Sequence, residues 1–145
     1  MHLEKLTDLT LTYDGEDPVV VRPFGAHEGQ GFGLGTGSAS GRLAGAVRWA
    51  NFPRRREDGV FLPDIRGVIA TAEGPVLWEL HGLSLPPDEQ EQRHLLGSVR
   101  FFADAQDHRW LNECVAVHEG VLDLDAEVVR LPIWLCRPDP ATPAA

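Results

Sequence analysis

Glu79 and His81 are the side chains best placed for proton transfer, because they lie two positions apart in a segment predicted to be a strand. Side chains alternate across a strand, so this spacing puts the carboxylate and the imidazole on one face. A neighbouring carboxylate favours the protonated imidazole, and such a pair suits general acid–base catalysis. A solvated pair on the surface is the alternative interpretation.

A second set of side chains could form a pocket for a small molecule. Its polar members share a strand face with large apolar residues, which is unusual unless the polar groups meet a ligand. If the set points into a barrel, Arg66 would hold a carboxylate or polarise a carbonyl, Asn112 would orient it, and two indoles would flank an apolar group. Arg66 is therefore a catalytic candidate as well. The predicted ligand-binding residues are Trp49, Asn51, Asp64, Arg66, Trp110 and Asn112.

The same residues also allow a structural interpretation. Asp64 and Arg66 could form an ion pair that closes one end of the barrel, with Asn112 satisfying the backbone of a turn. A pocket that brings Glu79, His81 or Glu113 to the ligand would favour catalysis. A pocket without these groups would favour binding alone.

Motifs for metal binding and covalent catalysis are missing from the sequence. The six histidines include no H-x-H, no H-E-x-x-H and no pair at i and i+4. Cys114 and Cys136 lack C-x-x-C spacing and are expected to be free thiols. No G-x-S-x-G motif marks a serine nucleophile. We therefore expect neither a metal nor a cofactor.

The segment 29–37 has a glycine at every second residue, unlike the dinucleotide-binding pattern G-x-G-x-x-G. Period two puts bare backbone on one strand face and Gln30, Phe32, Leu34 and Thr36 on the other. Either a neighbouring element packs closely against the bare face, or a ligand lies on it.

Short apolar and β-branched runs, broken by glycine, proline or aspartate, predict an all-β protein. We predict a single small antiparallel β-barrel of about eight to nine strands with little or no helix, because closure removes exposed sheet edges. The barrel domain covers residues 1–136, and the proline-rich tail 137–145 is expected to be disordered. The strands are predicted at 6–13, 19–24, 30–36, 42–51, 65–71, 76–81, 95–103, 110–118 and 127–136.

The charge balance narrows the range of partners. Lys plus Arg total 13 and Asp plus Glu total 22, which gives a net charge of −9 over 145 residues. So acidic a chain is a poor match for nucleic acid or an anionic membrane, and the expected partner is a small-molecule ligand. The arginines at 54–56 are expected to form a solvated loop, or alternatively to hold an acidic ligand at the barrel mouth.

A series of short motifs resembles a bacterial family, the domain of unknown function 3237. The motifs are GSASG at 37–41, GAVRW at 45–49, PDIR at 63–66, TAEG at 71–74, RWLN at 109–112 and EG at 119–120. The resemblance implies a small barrel similar to the allene oxide cyclase and dirigent barrels, with Asp64, Arg66, Trp110 and Asn112 at recurrent positions. The chain departs from the family in Arg109, where an aromatic residue is common, and in a longer arginine-rich loop at 52–59.

Three functions remain open on the sequence. The first is cofactor-free isomerase, cyclase or lyase chemistry on a small carbonyl or carboxylate compound, and the second is noncatalytic binding of such a compound. The third is a structural domain that forms a homo-oligomer through the strand at 127–136, which is apolar on both faces. This strand predicts self-association under all three functions. Residues 1–6 lack a secretory pattern, so we expect a cytoplasmic protein.

Overall fold

The computed structural model describes residues 1–15, 18–23, 25 and 28–141, which form 11 strands and one short 3-10 helix, Gln106–Glu113. The strands are β1 (His2–Tyr13), β2 (Val19–Val21), β3 (Gly29–Gly41), β4 (Gly45–Asn51), β5 (Arg54–Arg55), β6 (Phe61–Leu62), β7 (Asp64–Thr71), β8 (Gly74–Ser84), β9 (Gln92–Ala103), β10 (Val115–Asp123) and β11 (Val128–Arg137).

Eight of the strands form a closed antiparallel barrel in the order β1, β3, β4, β7, β8, β9, β10 and β11. β1 closes the wall, since Leu9 lies opposite Leu131 of β11 on one side and opposite Ala39 of β3 on the other. Each wall strand therefore has a partner on both sides, so the eight strands leave no exposed sheet edge among the residues that the structure describes. The prediction of an all-β barrel with little helix is confirmed.

Three short strands extend the wall at one end of the barrel, which we call the open end. β2 and β5 both pair with the first residues of β3. β6 joins β5 to β8 through Phe61, which lies opposite both Arg55 and Ser84. The arginine-rich connection at 52–59 thus contributes β5 to a short hairpin, β5–β6, at the rim of the open end, and is not a plain loop.

The other end of the barrel, the closed end, is filled by side chains. Leu43, in the turn between β3 and β4, and Leu111, in the 3-10 helix, are both buried in the core. Thr7 Oγ1 donates a hydrogen bond to the Leu43 carbonyl at 2.7 Å, which fixes that turn against β1. Because the closed end is packed and the open end is not, the described residues leave a cavity at only one end of the barrel.

The predicted strand at 110–118 is wrong in its first half. Residues Gln106–Glu113 form the 3-10 helix, and β10 begins at Val115. The physical reason is the amide of Asn112, whose Oδ1 accepts from the Ala103 N–H at 2.8 Å and whose Nδ2 donates to the Ala103 carbonyl at 2.7 Å. This side chain takes the place of a neighbouring strand where β9 ends.

The bare face of β3 is packed by side chains from the strands beside it. A Cβ on Gly33 would lie 2.5 Å from Cε1 of Tyr13, and one on Gly35 would lie 2.3 Å from Cζ2 of Trp49. Carbon atoms in contact are normally about 3.5–4.0 Å apart, so no side chain fits there. The interpretation that a neighbouring element packs closely against these glycines is confirmed, and the glycines make room for two aromatic rings.

The last wall strand, β11, and the tail after it concern the predictions of self-association and of a disordered tail. β11 buries Leu131, Ile133 and Leu135 inside the barrel, while its outer face carries Arg130 and Trp134. Self-association through this strand stays a prediction. β11 reaches Arg137, one residue beyond the predicted domain boundary, and residues 142–145 of the predicted disordered tail lie outside the described residues.

Candidate functional site

A cavity of about 450 Å³ occupies the open end of the barrel. Its wall is mostly apolar, and the polar groups on it come from the ends of different strands. Because antiparallel strands alternate in direction, the last residues of β1, β4, β8 and β10 meet the first residues of β7, β9 and β11 at this end. The residues that the site depends on are Tyr13, Trp49, Asn51, Phe61, Ser84 and Arg93.

Tyr13 is held in the cavity wall by contacts on two sides. Its ring meets the ring of Trp49 edge to face, with centroids 4.6 Å apart, and it lies over the bare backbone of Gly33. Its hydroxyl oxygen accepts a hydrogen bond from Nδ2 of Asn51 at 3.1 Å. Asn51 is fixed in turn, since its Oδ1 accepts from the backbone N–H of Asp64 at 3.2 Å.

These hydrogen bonds leave the hydroxyl proton of Tyr13 available to an acceptor in the cavity. Oη of Tyr13 already accepts from Asn51, and none of the described residues accepts its proton. Burial raises the pKa of Tyr13, although the hydrogen bond from Asn51 opposes the shift. The phenol therefore stays neutral at ordinary pH and can donate to an oxygen atom in the cavity.

Arg93 brings positive charge to the same cavity. Its guanidinium donates to the carbonyls of Leu85 at 3.0 Å and Gly59 at 3.3 Å, and its Cζ lies 4.6 Å from the centroid of the Phe61 ring. Burial lowers the pKa of Arg93, and the charge of Arg55 lowers it further. Arginine titrates far above neutral pH in proteins, so Arg93 remains a cation at the cavity.

Trp49 and Asn51 lie on the cavity wall, as predicted for side chains that point inward. Arg66 does not, and the prediction that it points into the barrel is wrong. Its side chain is 65% exposed on the outer face of β7, with Nε 3.7 Å from Oδ1 of Asp64. The inner face of β7 carries Ile65 and Ile69, which the core buries in preference to charged groups.

Glu79 and His81 share a face of β8, and that face is the outer one. Nδ1 of His81 lies 3.8 Å from Oδ1 of Asp64, and Oε1 of Glu79 lies 3.9 Å from Nη1 of Arg100. Neither side chain lines the cavity. The structure therefore places both catalytic candidates in a surface network of charges, away from the barrel interior.

Trp110 and Asn112 lie at the closed end and do not line the cavity with Trp49, although Trp110 packs against the same core. The structure therefore does not bring these residues together in one pocket. The indole of Trp110 packs between Arg42 and Arg137, whose Cζ atoms lie 4.9 Å and 5.6 Å from its ring centroid. Asn112 is exposed and bonds to the backbone, which matches the structural interpretation of this residue. Glu113 is exposed in the same helix. The 3-10 helix places Leu111 in the core and leaves Asn112 and Glu113 exposed.

The sequence predictions missed Tyr13 and Arg93. Tyr13 shares the inward face of β1 with Leu9 and Leu11, and Arg93 shares that of β9 with Leu95. In both cases the signal was present as a polar group two positions from a core leucine at a strand end. Among the described residues no three His, Cys, Asp or Glu side chains come together as a metal site, and no helix is long and apolar enough to cross a membrane.

The fold and the site together define a closed antiparallel β-barrel with a cavity at one end, whose wall is apolar apart from a few polar groups at strand ends. A protein with unknown function from Clostridium acetobutylicum ATCC 824 has this fold, with a TM-score of 0.81 at 18% identity over 94% of this chain and 100% of that one. A beta-barrel like protein from Acinetobacter baumannii AYE matches at 0.81 and 14% identity, over 94% and 96%. An enzyme from Penicillium herquei matches at 0.69 and 19% identity, over 94% of each chain.

These likenesses show the fold alone, since all three identities are low. No protein-family model matches the sequence, and no curated protein sequence does. Membership of the domain of unknown function 3237 is thus not confirmed, whereas the barrel that the resemblance implied is the observed fold.

Proposed function

We propose that the barrel binds a small, partly apolar compound in the open-end cavity and recognises it through a carbonyl or carboxylate oxygen. The observation that carries this proposal is the ordered hydroxyl of Tyr13, which has its acceptor site filled by Asn51 and its proton free for a ligand. Tyr13 is half-buried on the cavity wall, and an oxygen-bearing ligand would supply the acceptor that its hydroxyl lacks among the described residues.

The size and polarity of the cavity support a compound of modest size. About 450 Å³ lies within the usual range of small-molecule sites, which are mostly apolar with a few placed polar groups. Trp49 offers a flat apolar surface, while Tyr13 and Arg93 supply donors and no carboxylate faces them at hydrogen-bonding distance among the described residues. Arg93 takes over the anchoring role that the sequence assigned to Arg66.

A matched pair of naphthalene probes tests the proposal. 2-Acetylnaphthalene carries a carbonyl oxygen, and 2-ethylnaphthalene has nearly the same shape without it. We expect both to bind by calorimetry or by quenching of tryptophan fluorescence. Tyr13→Phe removes only the hydroxyl and should weaken the ketone about 3- to 10-fold, leaving the hydrocarbon unchanged. If neither probe binds, the cavity is not a ligand site; if Tyr13→Phe binds the ketone as the wild type does, the recognition of oxygen by Tyr13 is refuted.

A second candidate function is enzymatic, and one arrangement favours it. A neutral phenol held against a carbonyl oxygen stabilises the negative charge that forms there during enolisation, isomerisation or cyclisation. Glu127 is a carboxylate at the edge of the same cavity and could accept the α-proton. The fold neighbour from Penicillium herquei described as an enzyme supports this candidate.

Hydrogen exchange in the ligand separates catalysis from binding. An enzyme of this kind would replace the methyl hydrogens of bound 2-acetylnaphthalene by deuterium in D₂O faster than buffer does, and Tyr13→Phe would slow that exchange about 100-fold. Exchange at the buffer rate with the ketone bound would leave the protein a noncatalytic binding barrel. NMR of the recovered ketone gives the measurement.

A further inference from the structure

We propose that Arg55 and Arg93 form an anion site at the mouth of the cavity, so that the ligand is an amphiphilic organic acid whose charged group lies on the rim and whose apolar body lies in the barrel. This inference rests on the proposed function and narrows its substrate class from carbonyl or carboxylate compounds to anions.

Both guanidinium groups lie near the ring of Phe61. Arg55 lies directly opposite Phe61 in the β5–β6 pair, and its Cζ is 5.8 Å from the ring centroid. Arg93 comes from β9, and its Cζ lies 4.6 Å from the same centroid. Phe61 and Arg93 line the cavity, and Arg55 lies beside Phe61 at its edge.

Charge compensation is missing at this point of a strongly acidic chain. No carboxylate of the described residues lies within 4.0 Å of Arg55 or Arg93. Five other arginines also lack such a partner, but they are exposed, whereas Arg55 and Arg93 are partly buried. The five are Arg22, Arg48, Arg54, Arg109 and Arg130. Each of the two partly buried cations raises the electrostatic cost of the other. An anion within reach of both would offset this repulsion.

The hydrogen-bonding state of the pair also points to a ligand. Arg93 uses part of its guanidinium on the carbonyls of Gly59, Ser84 and Leu85, which holds it in place. Nε of Arg55 is buried and has no hydrogen-bond partner among the described residues. Because Nε itself is covered by the protein, a ligand would meet the terminal nitrogens of Arg55 beside the fixed Arg93, and an oxyanion accepts several such charge-assisted hydrogen bonds at once.

The rest of the cavity determines what kind of anion fits. Below the arginines the wall is apolar, with Trp49, Ile65 and Leu95 among its residues, so an inorganic anion alone would leave that surface unoccupied. An aromatic or short aliphatic acid fills both parts. A carbonyl or hydroxyl oxygen within its body would meet Tyr13.

Two fluorescent dyes that differ by one charged group test the anion site. 8-Anilinonaphthalene-1-sulfonate carries a sulfonate on the skeleton of N-phenyl-1-naphthylamine, which is neutral, and both dyes brighten in apolar sites. Arg55→Gln should raise the Kd of the sulfonate about 10-fold and change that of the neutral dye less than about 2-fold. Arg54→Gln is the matched control, because Arg54 precedes Arg55 on β5, is exposed, and removes the same charge.

The outcomes separate the two proposals. A neutral dye that binds, with the sulfonate weakened by Arg55→Gln and not by Arg54→Gln, supports the anion site. If both dyes bind but the two variants affect the sulfonate equally, the anion site is wrong and the cavity proposal stands. If the neutral dye does not bind the wild type, the cavity proposal itself fails. The melting curve of Arg54→Gln should match the wild type, and that of Arg55→Gln should show no lower Tm, since this substitution also relieves the repulsion between Arg55 and Arg93.

Discussion

Replacing Gly35 by alanine tests the packing that creates the cavity wall. An added Cβ would lie 2.2 Å from the carbonyl oxygen of Thr12 and 2.3 Å from Cζ2 of Trp49. Both distances are more than 1 Å short of normal contact, roughly 3.5 Å. The oxygen belongs to the backbone of β1, which pairs with β3 along this stretch, so it cannot swing away as a side chain would. The barrel wall itself must shift.

The expected cost follows from these contacts. Overpacking costs typically about 1–3 kcal/mol, and a clash with backbone belongs near the upper value. Alanine regains about 0.4–1 kcal/mol by restricting the unfolded chain. The net loss in the free energy of unfolding is therefore about 2 kcal/mol, which for a chain of this length lowers Tm by about 4–8 °C.

Thermal unfolding followed by circular dichroism measures the effect. Ser38→Ala is the control, because Ser38 lies on the same strand with its side chain exposed on the opposite face, and it should change stability by less than about 0.5 kcal/mol. A Tm for Gly35→Ala within about 2 °C of the wild type would refute the packing reasoning.

Three further predictions concern the core, the site and the assembly. Burial lowers the pKa of His118, so the folded protein keeps this imidazole neutral while the unfolded chain gains a proton below about pH 6.5. The free energy of unfolding should therefore fall by up to about 1.4 kcal/mol per pH unit on acidification below that value. Urea unfolding of His118→Leu should show a flatter pH dependence. Asn51→Ala leaves the Asp64 N–H and the Tyr13 hydroxyl without their partner, and denaturant unfolding should show a loss of about 1–3 kcal/mol. Self-association is expected at micromolar concentration, and a monomer by sedimentation would contradict it.

Most of the wall could be predicted because its strands carry their own signals. Runs of apolar residues bounded by turns predicted β8 and β9 near their observed positions, and alternating glycines predicted the packed face of β3. These signals are local, since period two follows from the geometry of a single strand. Closure follows from the number of strands and the cost of open edges.

The buried face of β7 could not be predicted, because a glycine interrupts the apolar residues on that face. The inner face holds Ile65, Gly67 and Ile69, and the glycine weakens the apolar pattern of this face. The pattern therefore gave no clear sign that Arg66 lies on the opposite, outer face. The space above Gly67 is filled by Trp78 of β8, whose Cε2 would lie 2.6 Å from a Cβ there. Only the neighbouring strand shows which face is buried.

The partners of Tyr13 and Arg93 could not be predicted for a similar reason. Asn51 reaches Tyr13 across 38 positions of sequence, and Arg93 reaches the Gly59 carbonyl across 34. Contacts of this range depend on barrel register, which no local pattern sets. The sequence indicated a pocket of aromatic, amide and guanidinium groups, and the arginine on the observed cavity wall is Arg93, whereas Arg66 lies on the outer face.

The rim strands β2, β5 and β6 stand outside the closed ladder of eight, and this separates two evolutionary constraints. Under the proposed function, substitutions in the rim would act on what enters the barrel, while the pairing that closes the wall runs between the eight other strands. On that proposal, mutational drift at the rim would alter ligand selectivity with little loss of folding stability. Chains that are only 14–19% identical to this one share its barrel, so under the proposed function the short appended hairpin would give such a scaffold a place to acquire new specificities.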